Sequence, residues 1–161
     1  MTQQTFALYT KNGYAGDLVD SGPRVVQTGV LTGSGAGFGK AMSRDTAVER
    51  GVTLGSAATV FAISQREYNH EAGSRPTDGT DFAYLETESV SLIRDGYLYI
   101  ELVGGAVPTG NIGTPLFVNA TTGTFSGDAT DVSGVHVETT NVIAEEAGVV
   151  GDVIKCRIIL A

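Results

Sequence analysis

One cysteine, Cys156, is all the chain has in 161 residues. A single thiol closes no intrachain disulfide, so stability has to come from packing or from neighbouring subunits. There is no tryptophan, and the only histidines are His70 and His136. A Ser-His-Asp constellation would have to recruit one of those two, and no G-x-S-x-G elbow occurs to present a serine. His70-Glu71 and His136 with Glu138 are the histidine and carboxylate neighbours. One imidazole and one carboxylate fall short of the three or four ligands that zinc takes, so both pairs read as surface polar residues. The expectation is a chain that is not an enzyme, with no catalytic residue, no metal and no cofactor.

Charge is scarce as well. Charged residues make up 17% of the chain, against about 25% in an average soluble domain. A surface built instead from Gly, Thr, Ser and Asn repels copies of itself poorly and suits a chain that works inside an assembly. The ten basic residues are scattered singly and the net charge is −8. Phosphate backbones need a clustered basic surface, so nucleic acid is not an expected partner. Residues 1–8 have neither a basic start nor the apolar run of a signal peptide, which points to synthesis and retention in a cytoplasm. No apolar segment approaches the ~20 residues that cross a bilayer, so no membrane role is expected.

What the chain does have is punctuation, with 22 glycines between short runs rich in Val, Ile, Leu and Thr. Asp95-Gly96 stands between two such runs over residues 89–102 and predicts a β-hairpin, because Gly adopts positive φ freely and Asp tolerates it. Residues 41–43, 52–54, 59–64, 82–86 and 116–118 read as further strands, the stretch 59–64 as a continuous one buried on both faces, and Thr122-Gly123 as a closing turn. Thr46 to Arg50 reads as a helical turn. Val135, Val137 and Thr139 alternate with His136 and Glu138 as a half-buried strand. Ile154, Cys156, Ile158 and Leu160 share one face of a last strand running to the C-terminus, with Lys155 and Arg157 on the other. Cys156 is then a buried, inert thiol. About ten short strands at this spacing indicate an all-β fold, an antiparallel β-sandwich or small β-barrel of the jelly-roll kind.

Residues 14–29 carry three glycines and one proline with little periodicity and read as an extended N-terminal arm, so the division is an arm over 1–29 and one β domain over 30–161. Residues 65–80 are polar and read as a long outward loop that tolerates insertion. The glycine-rich run at 33–40 fails as a phosphate loop, since G-x-x-x-x-G-K-[ST] needs Gly where Ser34 stands and Ser or Thr where Ala41 stands. A closely packed loop is the favoured reading. Asn119-Ala120-Thr121 reads as a turn rather than a glycosylation site, and Asp128, Asp131 and Asp152 offer at most a structural cation, with no EF-hand order.

Taken in order, these landmarks resemble the capsid decoration or structural cement proteins of tailed bacteriophages. The resemblance lies in Gly37-Phe38-Gly39-Lys40-Ala41, then Gly51 to Gly55, the strand from Thr59 to Ile63, the segment from Arg94 to Glu101, and Leu116-Phe117-Val118 closed by Thr122-Gly123. It implies an all-β protein on the capsid exterior of a virion, synthesised in the host cytoplasm, with the major capsid protein as partner and a homo-oligomer, dimer or trimer, on the shell. Its role would be to bind the head and stabilise contacts between capsid subunits. Tyr14, Asp17 and Arg24 in the arm are the candidate contacts to the capsid or a sister subunit. The alternative is a carbohydrate- or ligand-binding β-sandwich module of a phage tail or surface protein.

Overall fold

In the computed structural model the structure describes residues 13–19, 22–67, 83–131 and 134–161. Twelve strands and no α-helix are found among the described residues: β1 (Val25–Leu31), β2 (Ala36–Gly37), β3 (Ala41–Asp45), β4 (Gly51–Leu54), β5 (Ala62–Ser64), β6 (Ala83–Tyr84), β7 (Ser89–Glu101), β8 (Pro115–Asn119), β9 (Phe125–Ser126), β10 (Thr130–Asp131), β11 (Gly134–Ala144) and β12 (Val153–Ile158). The fold is all-β, and of the two expected architectures the barrel is found. Strands run β1-β4-β3-β5-β7, and β7 pairs back onto β1, closing a five-stranded barrel. All of its pairings are antiparallel except β1 with β4, where Val30 lies opposite Gly51 and Leu31 opposite Val52.

β7 is the element on which everything else is hung. Its first half pairs with β1 on one side and β5 on the other, and its second half pairs with β12. The sheet then continues through β11 and β8 to β9. The hairpin expected at Asp95-Gly96 is therefore absent, because both flanking runs are claimed by distant strands. A two-residue type I′ turn needs positive φ at both central residues; Gly96 has φ 129, whereas Asp95 is not among the positive-φ residues. The dipeptide instead marks a bulge, where Val25 lies opposite Asp95 and Val26 opposite Ile93. There the strand leaves the barrel and enters the second sheet.

Because neighbouring side chains on a strand point to opposite faces, β7 feeds two cores. Val90 and Leu92 enter the barrel with Leu31, Met42, Val52 and Ala62. Ile93 faces out of the barrel and joins Ala41 and Ile63 in the larger core, with Leu98, Ile100, Leu116, Val118, Phe125, Val142, Ile154 and Ile158. Asn141 ties the two parts across this junction: its side chain accepts from the Val60 N–H (2.9 Å) and donates to the Val60 carbonyl (2.8 Å) and the Ile159 carbonyl (3.0 Å).

Several other expectations are corrected. Residues 46–50 form a tight turn, not a helical one, since Asp45 lies opposite Gly51 and leaves only five residues between the strands. The strand expected over 59–64 is confined to Ala62–Ser64, because Val60 spends its backbone groups on Asn141. In β11 the inward face carries His136, 4% exposed, and Thr139, while Val137 and Glu138 are exposed. A register shift after Glu138 displaces the alternation, and the Thr139 hydroxyl spans it by donating to the Val142 carbonyl at 2.9 Å. His136 is thus buried rather than a surface residue. The last strand stops at Ile158 and Leu160 is exposed. β1 begins at Val25, inside the segment read as an arm, because residues 25–31 fill the gap between β4 and β7.

Candidate contact surface

Residues 16–19 run as a strap antiparallel to the second half of β7, on the edge that β12 leaves open. Gly16 N–H donates to the Tyr99 carbonyl (2.7 Å), Tyr99 N–H to Asp17 (2.9 Å) and Val19 N–H to Tyr97 (3.1 Å), and Leu18 packs against the larger core. The glycine-rich run is the seat of this strap. A Cβ on Gly16 would fall 2.8 Å from the Arg66 nitrogen and 3.0 Å from the Gly39 nitrogen, so the two backbones meet only because Gly16 has no side chain. Gly39 N–H donates to the Ser64 carbonyl (2.8 Å) and Lys40 N–H to the Ser64 hydroxyl (3.0 Å). Donors engaged in this way cradle no phosphate, in keeping with a closely packed loop. Burial lowers the pKa of the Lys40 ammonium, opposed in part by Glu101.

Two of the expected contact residues are brought together and the third is not. Asp17 accepts from the Tyr14 N–H (2.9 Å) and pairs with Arg66 at 3.6 Å. The Arg66 guanidinium lies 3.9 Å over the ring of Tyr14, which remains 54% exposed. Arg24 is exposed further along, its Cβ close to Gly96. Tyr14 and Asp17 therefore clamp the strap to the chain's own body, while Arg24 points no bond inward that the structure records. Arg66 was not singled out in the sequence, since it is linked to Asp17 only through a distant loop entry.

Outside the strap, β12 and the second half of β7 present a face of Tyr97, Tyr99, Lys155 and Arg157. Register places Arg157 opposite Tyr97 and Lys155 opposite Tyr99. Lys155 Nζ is 4.8 Å and the Arg157 guanidinium 5.5 Å from the centre of the Tyr97 ring. Burial, with Glu146 and Asp17 nearby, raises the Tyr99 phenol above its ordinary pKa.

The sequence pattern of the family described as "Structural cement protein (E217 gp24/Pam3 gp6)" matches residues 2–159, nearly the whole chain. The chain belongs to the structural cement protein family. A chain from a solved structure entitled "The capsid of Myoviridae Phage XM1" superposes with a TM-score of 0.64 at 14% identity, over 97% of the cement chain and 96% of that one. At that identity the likeness shows a shared fold. Among curated protein sequences, none matches.

Among the described residues, the other candidate chemical groups of the cement chain are not brought together. Cys156 is fully buried and burial pushes its thiol pKa up, with Glu145 adding to the effect, so it is an inert core residue. Among the described residues no three His, Cys, Asp or Glu side chains gather as a metal site, and Asp152 instead accepts from the Val149 N–H at 2.9 Å. Asn119 forms the expected turn, accepting from the Thr121 and Thr122 N–H groups at 2.9 and 3.0 Å. Tyr14 is the one aromatic side chain among the described residues that is exposed. A cleft of about 320 Å³ lies between Gly13 and the loop containing Glu146 and Asp152. His70, Glu71 and most of the loop expected over 65–80 lie outside the described residues. At its entry, Gln65 N–H donates to Ser91 (2.8 Å) and Arg66 N–H to Gly16 (2.9 Å).

Proposed function

We propose that this chain binds the outer surface of an assembled phage head and ties neighbouring major capsid subunits together, as a non-enzymatic decoration protein. The observation that carries the reading is the match to the structural cement family across residues 2–159. A rigid all-β body with a low-charge surface agrees with it: such a protein needs no reaction centre, only shape and repeated placement. Each copy that binds the assembled shell and not the free or unfolded subunit adds stability by mass action, and many copies on one shell multiply the effect. In this reading the protein is made in the host cytoplasm, joins the shell exterior as a dimer or trimer, and touches the capsid or a sister subunit through Arg24 and the Tyr14 face of the strap, with Asp17 holding the strap in place.

The test is co-migration. Particles of the source phage are banded by density gradient, this chain is quantified against the major capsid protein by mass spectrometry, and the particles are imaged by electron microscopy. The expected result is a fixed stoichiometry with density on the outer shell. Intact particles lacking the chain would overturn the reading.

A further inference from the structure

We infer that the outer face formed by Tyr97, Lys155 and Arg157 is a docking site for a carboxylate-bearing segment of a neighbouring shell protein. The inference rests on the cement reading and specifies where, and with what chemistry, one contact is made.

The chain has 18 acidic residues to ten basic ones. Two cations pack on one tyrosine ring, and among the described residues neither has a carboxylate within 4 Å, the Arg66 to Asp17 pair being the one ion pair at that distance. Glu146 turns its carboxylate to the backbone N–H of Lys155 at 3.0 Å, and Glu145 meets the same residue through its own N–H at 3.0 Å. A ring face attracts a cation but accepts from at most one of its donors. Packing on Tyr97 therefore holds the Lys155 ammonium and the Arg157 guanidinium in place while leaving their donors for a partner. Arg157 is exposed, and its planar fork matches a carboxylate with two parallel bonds.

The site also has an edge. Gly22 passes the Tyr97 ring, with a Cβ built on it 3.7 Å away, and exposed Arg24 follows two residues later. The face is thus continuous with the strap. Two cations on one ring suit one or two carboxylates, whereas a run of phosphates needs a larger cluster of basic side chains.

The experiment uses the full chain and heads of the source phage stripped of it, comparing wild type with K155E/R157E, K155Q/R157Q and the charge-keeping K155R/R157K at rising sodium chloride. Circular dichroism and thermal melts establish that each variant folds, and the glutamine pair stands in if charge reversal does not. Wild-type occupancy should fall with salt, and reversal or neutralisation should weaken binding by about tenfold or more, while the charge-keeping pair loses less, since it keeps both charges and gives up only the Arg157 fork. Wild type that binds heads while the reversed and neutral variants bind equally well would overturn the docking site and leave the cement reading standing. Wild type that binds no head would overturn both. A loss of self-association by sedimentation, with head binding unchanged, would assign the face to a sister copy and overturn the acidic-segment assignment.

Discussion

The barrel and the sheet beyond it share β7 but close by different means. Around the barrel each strand is joined to the next by a backbone ladder, from β1 through β4, β3, β5 and β7 back to β1. The second sheet comes round from β7 through β12, β11 and β8 to β9, and what meets there is a short parallel contact at Leu102 and Phe125, with Val103 N–H donating to the Phe125 carbonyl (2.7 Å), Gly105 N–H to the Ser126 hydroxyl (2.9 Å) and Gly127 N–H to the Gly105 carbonyl (3.0 Å). Continuous ladders close the first ring; a few hydrogen bonds and the burial of Phe125 close the second. The larger core also takes Ala41, Ile63 and Ile93 from the outside of the barrel, so the two halves are expected to unfold together.

The largest effect should follow from removing the side chain at the weaker closure. Phe125 is fully buried, and Phe125→Ala should cost about 3–5 kcal/mol in urea unfolding. Leu31→Ala, equally buried in the barrel, should cost less, toward the lower end of the ~2–5 kcal/mol seen for such truncations, because its strand keeps ladders on both sides. A barrel truncation costing more than Phe125→Ala would break the contrast. Next comes the tie between the halves. Asn141→Ala strips the Val60 N–H and two carbonyls of their partners, and an unsatisfied buried group costs about 1–3 kcal/mol. If the halves are coupled as described, this variant melts at a lower temperature in one transition; two transitions would show that Asn141 was holding separate folding units together.

Gly96→Ala probes the point where β7 passes from one half to the other. The new Cβ would sit at φ 129 and 3.1 Å from the Arg24 Cβ, so a loss of about 1–3 kcal/mol is expected, read by denaturant titration. Wild-type stability would mean that the bulge is not needed for the handover. The smallest effect is confined to the barrel. Asp45 accepts from the Thr32 hydroxyl (2.7 Å) and from the Ala47 N–H (2.9 Å), and these bonds lower its pKa in the folded state. A depressed carboxylate pKa adds stability above its unfolded value, lost as pH falls through the folded one. Thermal melts should therefore show wild type losing slightly more stability than Asp45→Asn below the ordinary aspartate range, and parallel curves would remove Asp45 from the account.

Much of the fold was legible because its signals are local. Asn119 to Gly123 makes its turn from its own side chain and backbone, and the alternation of Ile154, Cys156 and Ile158 survives because one face of β12 is dry. Asp95-Gly96 carried an equally strong local signal and was misleading, since β1, β5 and β12 compete for both of its flanks. The contact surface was legible only in part. Tyr14, Asp17 and Arg24 stood out in a segment without periodicity, and Lys155 with Arg157 read as one face of a strand. That Arg66 holds Tyr14 and Asp17, or that two cations pack on the Tyr97 ring, depends on residues far apart in the chain.

Composition and period by themselves settled an all-β chain with an inert cysteine, because a strand's two-residue alternation and a turn's need for glycine are properties of a few adjacent residues. Which strands meet, where β7 passes from the barrel to the second sheet, and which side chains share the outer face were settled only by tertiary structure. Those outcomes depend on which distant partner buries the most surface and satisfies the most backbone groups, and neighbouring residues do not encode that competition.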